Sequence, residues 1–397
     1  MAIKGLPTDR WLLPDGIEEL LPEEAMRLEG LRRRLLDTCF AFGYELVFPP
    51  LIEFLESLLT GTGHDLELST FKLIDPLTGR LLGVRADLTP QVARIDAHNL
   101  KRELPTRLCY VGTVLRAYAD PLDKSRSPIQ IGAELYGHAG PEADLEVIQL
   151  MLELLAQAGV LEVHLDLGHV GIYRGLARRA GLDAEQEAEL FAILQRKSRP
   201  DLSQFLAQSL GSALRRHFFA LLDLNGESEV LAEAKKSLAD AGEEVKAALE
   251  RLEQVATCLK RRYPALPIHF DLAELRGYRY HTGLVFAALV PGYGREIARG
   301  GRYDAIGEVF GRARPAVGFS ADLKQLIKYG VPLEEPPLRR LLAPPGEDLE
   351  LLETIRSLRL KGWQVVQSLT GQEDAKQMGC NFKLERQGNR FEILSVS

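Results

Sequence analysis

Four short stretches gather glycine, arginine and paired polar residues inside otherwise apolar sequence, and these are the places where chemistry could be done. They are residues 84–94, which contain Asp87 and Thr89; residues 114–134, with Arg116, Arg126, Gln130, Gly132 and Glu134; residues 274–283; and residues 299–304. Taken singly, each arginine reads as a solvated surface cation. Gln130 and Glu134 read differently, because they fall on one face of a strand with Gly132 between them. An inward-facing amide and carboxylate suit an amino group and an imidazole better than an oily core, and the glycine lets a ligand approach the backbone. His281 alone could equally be a core histidine held for structure. Gly300 and Gly301 alone could be a turn. They form no phosphate loop, since no Lys-Ser/Thr follows. His164 and Asp166 share a strand face, and His169 follows just past Gly168. A structural zinc site wants four ligands, however, and neither a cysteine nor a further histidine lies nearby in sequence, so no metal is expected.

The elements that must hold these residues alternate between helix and strand. A helix is expected within residues 15–41, with Pro22, Glu23 and Glu24 in its first turn and leucines at helical spacing. A strand over residues 44–48 is cut off by Pro49 and Pro50. Two short strands flank the turn at residues 75–79, and a helix follows from Thr89 and Pro90. Residues 110–115 and 127–136 read as the two arms of a hairpin joined by a long polar loop. A helix over 141–158 stops at Gly159, and residues 161–167 alternate as a strand. Residues 172–262 are almost wholly helical, with a capping box at Asp183 and Gln186. Their apolar stripe reads as the core of an insert rather than a cofactor box. Strands return at 268–272 and 284–289. A proline-rich linker then leads to a small unit with a helix at 349–360 and a strand at 363–367. The expected divisions are 1–171, 172–262, 263–330 and 331–397.

Composition narrows the function classes. The chain has 397 residues, 46% hydrophobic and 26% charged, enough apolar content for large cores in two or three domains. Its formal net charge of −7 lowers the expectation of a nucleic-acid role, which needs a basic face to displace counterions. The first residues turn polar at once and read as no signal peptide. No run of eighteen apolar residues reads as a membrane span. Cys39, Cys109, Cys258 and Cys380 form no CxxC pair and read as buried thiols in a reducing compartment, hence a cytoplasmic chain.

Taken together and in this order, the four segments resemble the class II aminoacyl-tRNA synthetase core, and within it histidyl-tRNA synthetase. Residues 43–53 are similar to motif 1, the helix-strand element of the class's dimer interface. Residues 116–134 resemble motif 2, the hairpin that holds ATP and aligns the amino acid. Residues 276–283 and 300–304 resemble the two histidine-specific signatures, and 315–326 stands where motif 3 belongs. The implied fold is α+β: an antiparallel sheet flanked by helices, with a helical insertion and a small C-terminal α/β domain. The resemblance assigns Asp87, Thr89, Arg116, Gln130, Glu134, Arg276, Tyr280 and His281 to a histidine site.

The departures fall on the ATP half. Tyr118 replaces the acid that orients the adenine end, Asp120 and Asp123 stand in a loop that is basic in the synthetases, and Gln325 replaces the arginine that clamps the far phosphates. A neutral amide offers neither the charge nor the fork of a guanidinium. Adenylation depends on electrostatic clamping, so this loss costs orders of magnitude in rate. The tail from residue 331 carries nine Lys/Arg against ten Asp/Glu, giving no drive toward an anticodon stem. These features resemble those of ATP phosphoribosyltransferase regulatory subunits, a non-catalytic paralogue family of histidyl-tRNA synthetase. The resemblance implies a role in the first step of histidine biosynthesis and in its feedback inhibition. It further implies a homodimer within a hetero-octamer with a short-form catalytic subunit, histidine as effector, and no cofactor. The rival readings are an active histidyl-tRNA synthetase and a synthetase-like RNA-binding regulator.

Overall fold

A computed structural model describes residues 11–60, 64–119, 124–209, 212–273, 280–332, 339–388 and 390–396. The chain divides after Pro332 into two compact units.

The first unit opens with helix α1 (Pro22–Ala41), which carries proline at its start and two glutamates in its first turn. Its buried face is Leu28, Leu31, Leu35, Leu36 and Cys39, the three-and-four spacing of a single apolar stripe. Strand β1 (Glu45–Leu46) is only two residues long, shorter than its sequence suggests, because Pro49 and Pro50 follow closely. Strand β2 (Ile52–Phe54), helices α2 (Leu55–Leu59) and α3 (His64–Ser69), and strands β3 (Phe71–Ile74) and β4 (Leu81–Val84) come next, and the three strands form a small sheet. Helix α4 (Thr89–Arg94) runs into a π-helical turn at Ile95–Leu100.

Strands β5 (Thr106–Thr113) and β6 (Ile129–Tyr136) are the arms of the expected hairpin. Helix α5 (Pro141–Gln157) and strand β7 (His164–His169) follow. Then come α6 (Val170–Ala180), α7 (Ala184–Gln195), α8 (Arg199–Ser209), α9 (Ser212–Asp223), the two-residue strand β8 (Asn225–Gly226), α10 (Glu229–Ser237) and α11 (Glu243–Arg262). Helix α7 starts with the capping box read from sequence: Asp183 accepts from the Gln186 amide, and Gln186 returns the bond. Strands β9 (Ile268–Asp271), β10 (Leu284–Leu289), β11 (Glu296–Arg302) and β12 (Ala316–Asp322) and helix α12 (Leu323–Tyr329) complete the unit.

A nine-stranded sheet, ordered β1-β5-β6-β12-β11-β10-β7-β9-β8, organises these elements. Only β1–β5 and β7–β9 pair in parallel; the other contacts are antiparallel. Gly300 and Gly301 lie within β11 and so form no turn. The glycines are needed because a Cβ at Gly300 would stand 2.2 Å from the Gly318 carbonyl oxygen. Leucines and valines of α1, α5, α6 and α11 share one continuous core with the sheet. Among the described residues no helix is long and apolar enough to cross a membrane, and the four cysteines are unpaired by disulfides.

The second unit holds β13 (Arg340–Ala343), α13 (Leu349–Leu360), β14 (Gln364–Gln367), β15 (Phe382–Gln387) and β16 (Arg390–Ser395). Its four-stranded sheet runs β14-β13-β15-β16, with Leu341, Leu351, Ile355 and Leu384 in the core. The β15–β16 hairpin has no counterpart in the sequence reading.

Candidate functional site

Strand β6 is the spine of the site. Its alternation turns Gln130, Gly132 and Glu134 to one side, as their spacing predicts. Neighbouring strands leave room for them by omitting side chains. Gly318 on β12 lies opposite Glu134, where a Cβ would sit 1.4 Å from the carboxylate. Gly132 lies opposite Tyr110 on β5, and a Cβ there would be 2.4 Å from the phenol oxygen.

Glu134 is fully enclosed. The Tyr110 hydroxyl donates to it at 2.9 Å, and the Tyr303 hydroxyl donates to its other oxygen. Thr89 Oγ1 lies 3.1 Å from the Tyr110 hydroxyl and extends the chain toward α4. Tyr280 packs on Tyr303 with ring centroids 5.0 Å apart, and His281 meets Tyr280 edge-on at 5.5 Å. His281 fits because Gly301 has no side chain; a Cβ there would lie 2.6 Å from the imidazole. Burial pushes the Glu134 carboxyl up to about 8, against the opposing pull of its two tyrosine hydrogen bonds. An acid held there near neutrality, among aromatic walls, can share a proton with an imidazole.

The other end is polar and open. Gln130 Nε2 donates to Asp87 Oδ1 at 2.9 Å, and the Thr89 amide donates to the same oxygen at 2.9 Å. The Leu88 amide donates to Gln130 Oε1, which fixes the orientation of the glutamine. Asp87 and Gln130 border an open cavity whose walls also include Arg116, Arg295, Arg299 and Gln325. The Arg116 guanidinium makes neither a hydrogen bond nor an ion pair with any described residue. Burial, then the nearby Arg299, holds its pKa below the ordinary value. Arg299 pairs with Glu296 at 3.0 Å. The three arginines of the wall are matched by Asp87, Glu296 and Asp322, so the charge is balanced. Such a wall suits a zwitterion better than a polyphosphate.

Of the eight residues expected from sequence, Asp87, Thr89, Gln130, Glu134 and Tyr280 form one polar and aromatic network, with His281 beside it and Arg116 across the cavity. Arg276 lies outside the described residues. Tyr110 and Arg295 are additions to the residues singled out from sequence, and Arg299 and Tyr303 fall in the stretch at 299–304 without having been assigned to the site. Tyr303 belongs to the signature at 300–304, and a glycine facing Tyr110 in the hairpin is the signal that could have revealed it. Tyr118 is 72% exposed and takes no part. Arg126 serves structure instead, donating to the Arg116 carbonyl at 3.0 Å and stacking over Phe71. Asp166 and His169 have other duties. Asp166 pairs with His269 at 2.8 Å, and His169 Nδ1 accepts from the Gly171 amide at the start of α6.

Comparison with known proteins agrees with this architecture. Residues 16–326 match the family model described as histidyl-tRNA synthetase. Residues 339–394 match the C-terminal domain of ATP phosphoribosyltransferase subunit HisZ. A protein of Methylococcus capsulatus named ATP phosphoribosyltransferase regulatory subunit is 58% identical, covering 98% of this chain and 97% of its own. One of the same name from Ectopseudomonas mendocina is 55% identical over 98% and 99%. Among solved structures, an ATP phosphoribosyltransferase regulatory subunit/histidyl-tRNA synthetase from Bacillus halodurans superposes with TM-score 0.81 at 27% identity, covering 93% of this chain and 96% of that one. Histidyl-tRNA synthetase from Nostoc shares the fold at TM-score 0.75 and 19% identity, covering 94% and 91%. The chain belongs to the ATP phosphoribosyltransferase regulatory subunit family, whose members are regulatory rather than catalytic and share the histidyl-tRNA synthetase fold.

Proposed function

We propose that this chain senses histidine for a short-form ATP phosphoribosyltransferase catalytic subunit, supporting the first step of histidine biosynthesis and its feedback inhibition. The imidazole enters the tyrosine-walled end and meets Glu134. The ammonium group is taken by Asp87 and Gln130, and the carboxylate by Arg116 together with Arg276. Glu134 is given to the imidazole because its hydrogen-bond partners are Tyr110 and Tyr303, at the aromatic end of the site. The observation that carries the reading is the contact of Gln130 with Asp87 and of Glu134 with Tyr110 beside a charge-balanced cavity wall that includes Gln325, the residue that the resemblance sets at the phosphate-clamp position.

The assembly we propose is a homodimer within a hetero-octamer, without nucleic acid, cofactor or metal, in the cytoplasm. Two copies pair through residues 48–53, where Phe48 is 72% exposed and Leu51 and Ile52 are about half exposed. Calorimetry tests the site: the full chain binds free histidine, and Glu134→Ala abolishes detectable binding, since stripping one partner from a buried polar pair costs several kcal/mol. Unchanged affinity would move the effector site elsewhere. In a parallel tRNA charging assay, turnover near one per second would favour an active synthetase.

A further inference from the structure

We infer that Arg251, on α11 of the helical insertion, is a positioning residue for the ligand pocket, acting through Asp144 and Arg302 on the Tyr303–Glu134 hydrogen bond. The inference rests on the reading of Glu134 as the imidazole partner. It begins with Arg302, a buried arginine at the end of β11 whose donors are all occupied. Nε donates to Asp144 Oδ1 at 2.9 Å, Nη1 to the His138 carbonyl and to Asp304 Oδ1 at 3.1 Å each, and Nη2 to the Gly140 carbonyl at 3.3 Å. Nη2 also lies 2.7 Å from Asp144 Oδ1. The Arg302 carbonyl accepts from the Thr282 amide at 2.7 Å. This one residue therefore anchors both sides of the aromatic end: Tyr303 follows it directly, and Tyr280 and His281 immediately precede Thr282.

Arg251 reaches the same place from the insertion. Its Nη2 donates to the Ala139 carbonyl at 2.7 Å, and its Nη1 lies 3.5 Å from Asp144 Oδ2. Asp144 thus divides its two oxygens between the arginines. The carbonyls of His138, Ala139 and Gly140, in the turn that ends β6, all accept from this pair. Two guanidiniums hold the turn that terminates the Glu134 strand, one from inside the sheet and one from the insertion. Removing one partner of a buried charge pair is destabilising in itself, so the role must be separated from simple stability. Arg251 allows that separation. It is partly exposed, and its loss leaves Asp144 paired with Arg302, so Arg251→Ala should fold.

Residues coupled to a site through such a network change affinity by about twofold to thirtyfold. Calorimetry with histidine should show that loss in Arg251→Ala, and most of it should be restored in Arg251→Lys, whose ammonium can still donate to the Ala139 carbonyl. In a Tyr303→Phe background the Arg251→Ala change should cost little more, because the link to Glu134 is already cut. A structural role alone would cost the same factor in both backgrounds. That result, or an unchanged affinity in Arg251→Ala, overturns the inference. Hydrogen exchange on the ligand-free chain gives a second arm that does not depend on histidine binding. Faster exchange across residues 129–136 and 296–302 in Arg251→Ala supports the coupling, and unchanged exchange in both strands contradicts it. If the wild type binds no histidine while this exchange difference is present, the effector assignment fails and the coupling stands.

Discussion

Glu134 is the residue on which the site turns, and its environment makes a pH prediction. A carboxyl whose folded pKa is raised to about 8 from an ordinary value near 4.5 binds its proton more tightly in the folded chain. Stability then falls as pH rises from about 4.5 through 8, by up to about 1.4 kcal/mol per pH unit for one proton. Glu134→Gln cannot titrate, so its urea unfolding free energy should vary less over this window than that of the wild type. Equal slopes in the two proteins would mean that Glu134 is ionised in the folded state. At this scale the sequence was informative about Gln130 and Glu134, because strand alternation puts them on one face whatever else is true. It gave no role to Tyr110, and it marked Tyr303 only as part of the stretch at 300–304. Both are ordinary core tyrosines by type, and only the pairing of Gly132 with Tyr110 and the closure of the sheet around Glu134 give them a polar partner.

The elements divide by how much of their stability is local. Helices α1, α5, α7 and α13 could be read from leucine spacing, Pro22 and Pro141, and the Asp183 capping box, because caps and stripes are local chemistry. Asp183→Ala should therefore lower stability by about 1 kcal/mol while leaving histidine affinity unchanged, measured by thermal melting alongside calorimetry. A matching loss of affinity would mean that the insertion's first turn bears on the site. Strands β11 and β12 resist local reading. Their glycines punctuate the sequence like turns, yet the reason for them is non-local: Gly300 must pass the Gly318 carbonyl and the Phe286 ring, and Gly318 must clear Glu134. The β15–β16 hairpin hides for another reason. Glu385, Arg386, Gln387 and Glu392 make it polar on its exposed positions, and few apolar residues alternate through it.

For the whole molecule, the cavity wall carries as many carboxylates as arginines, with Gln325 among them, and on the proposed reading the fold holds an amino acid without a clamp for ATP phosphates. The exposed segment at residues 48–53 is where a second copy is expected. Phe48→Asp places a charge on a side chain already outside the core, so it should fold normally and sediment as a monomer, whereas the wild type is expected to sediment as a dimer. An intact dimer in that variant would place the interface elsewhere. On the proposed reading the pocket lies inside this chain, so histidine would act on the transferase by favouring one arrangement of the complex, and the coupling would be reciprocal for equilibrium binding. The most direct test of the account is the rate at which a short-form catalytic subunit condenses ATP with phosphoribosyl pyrophosphate, alone and with this chain, with and without histidine. The wild-type chain should raise the rate and histidine then lower it, whereas Glu134→Ala should raise the rate but leave it insensitive to histidine. A rate unaffected by the wild-type chain, or histidine inhibition undiminished with Glu134→Ala, would contradict it.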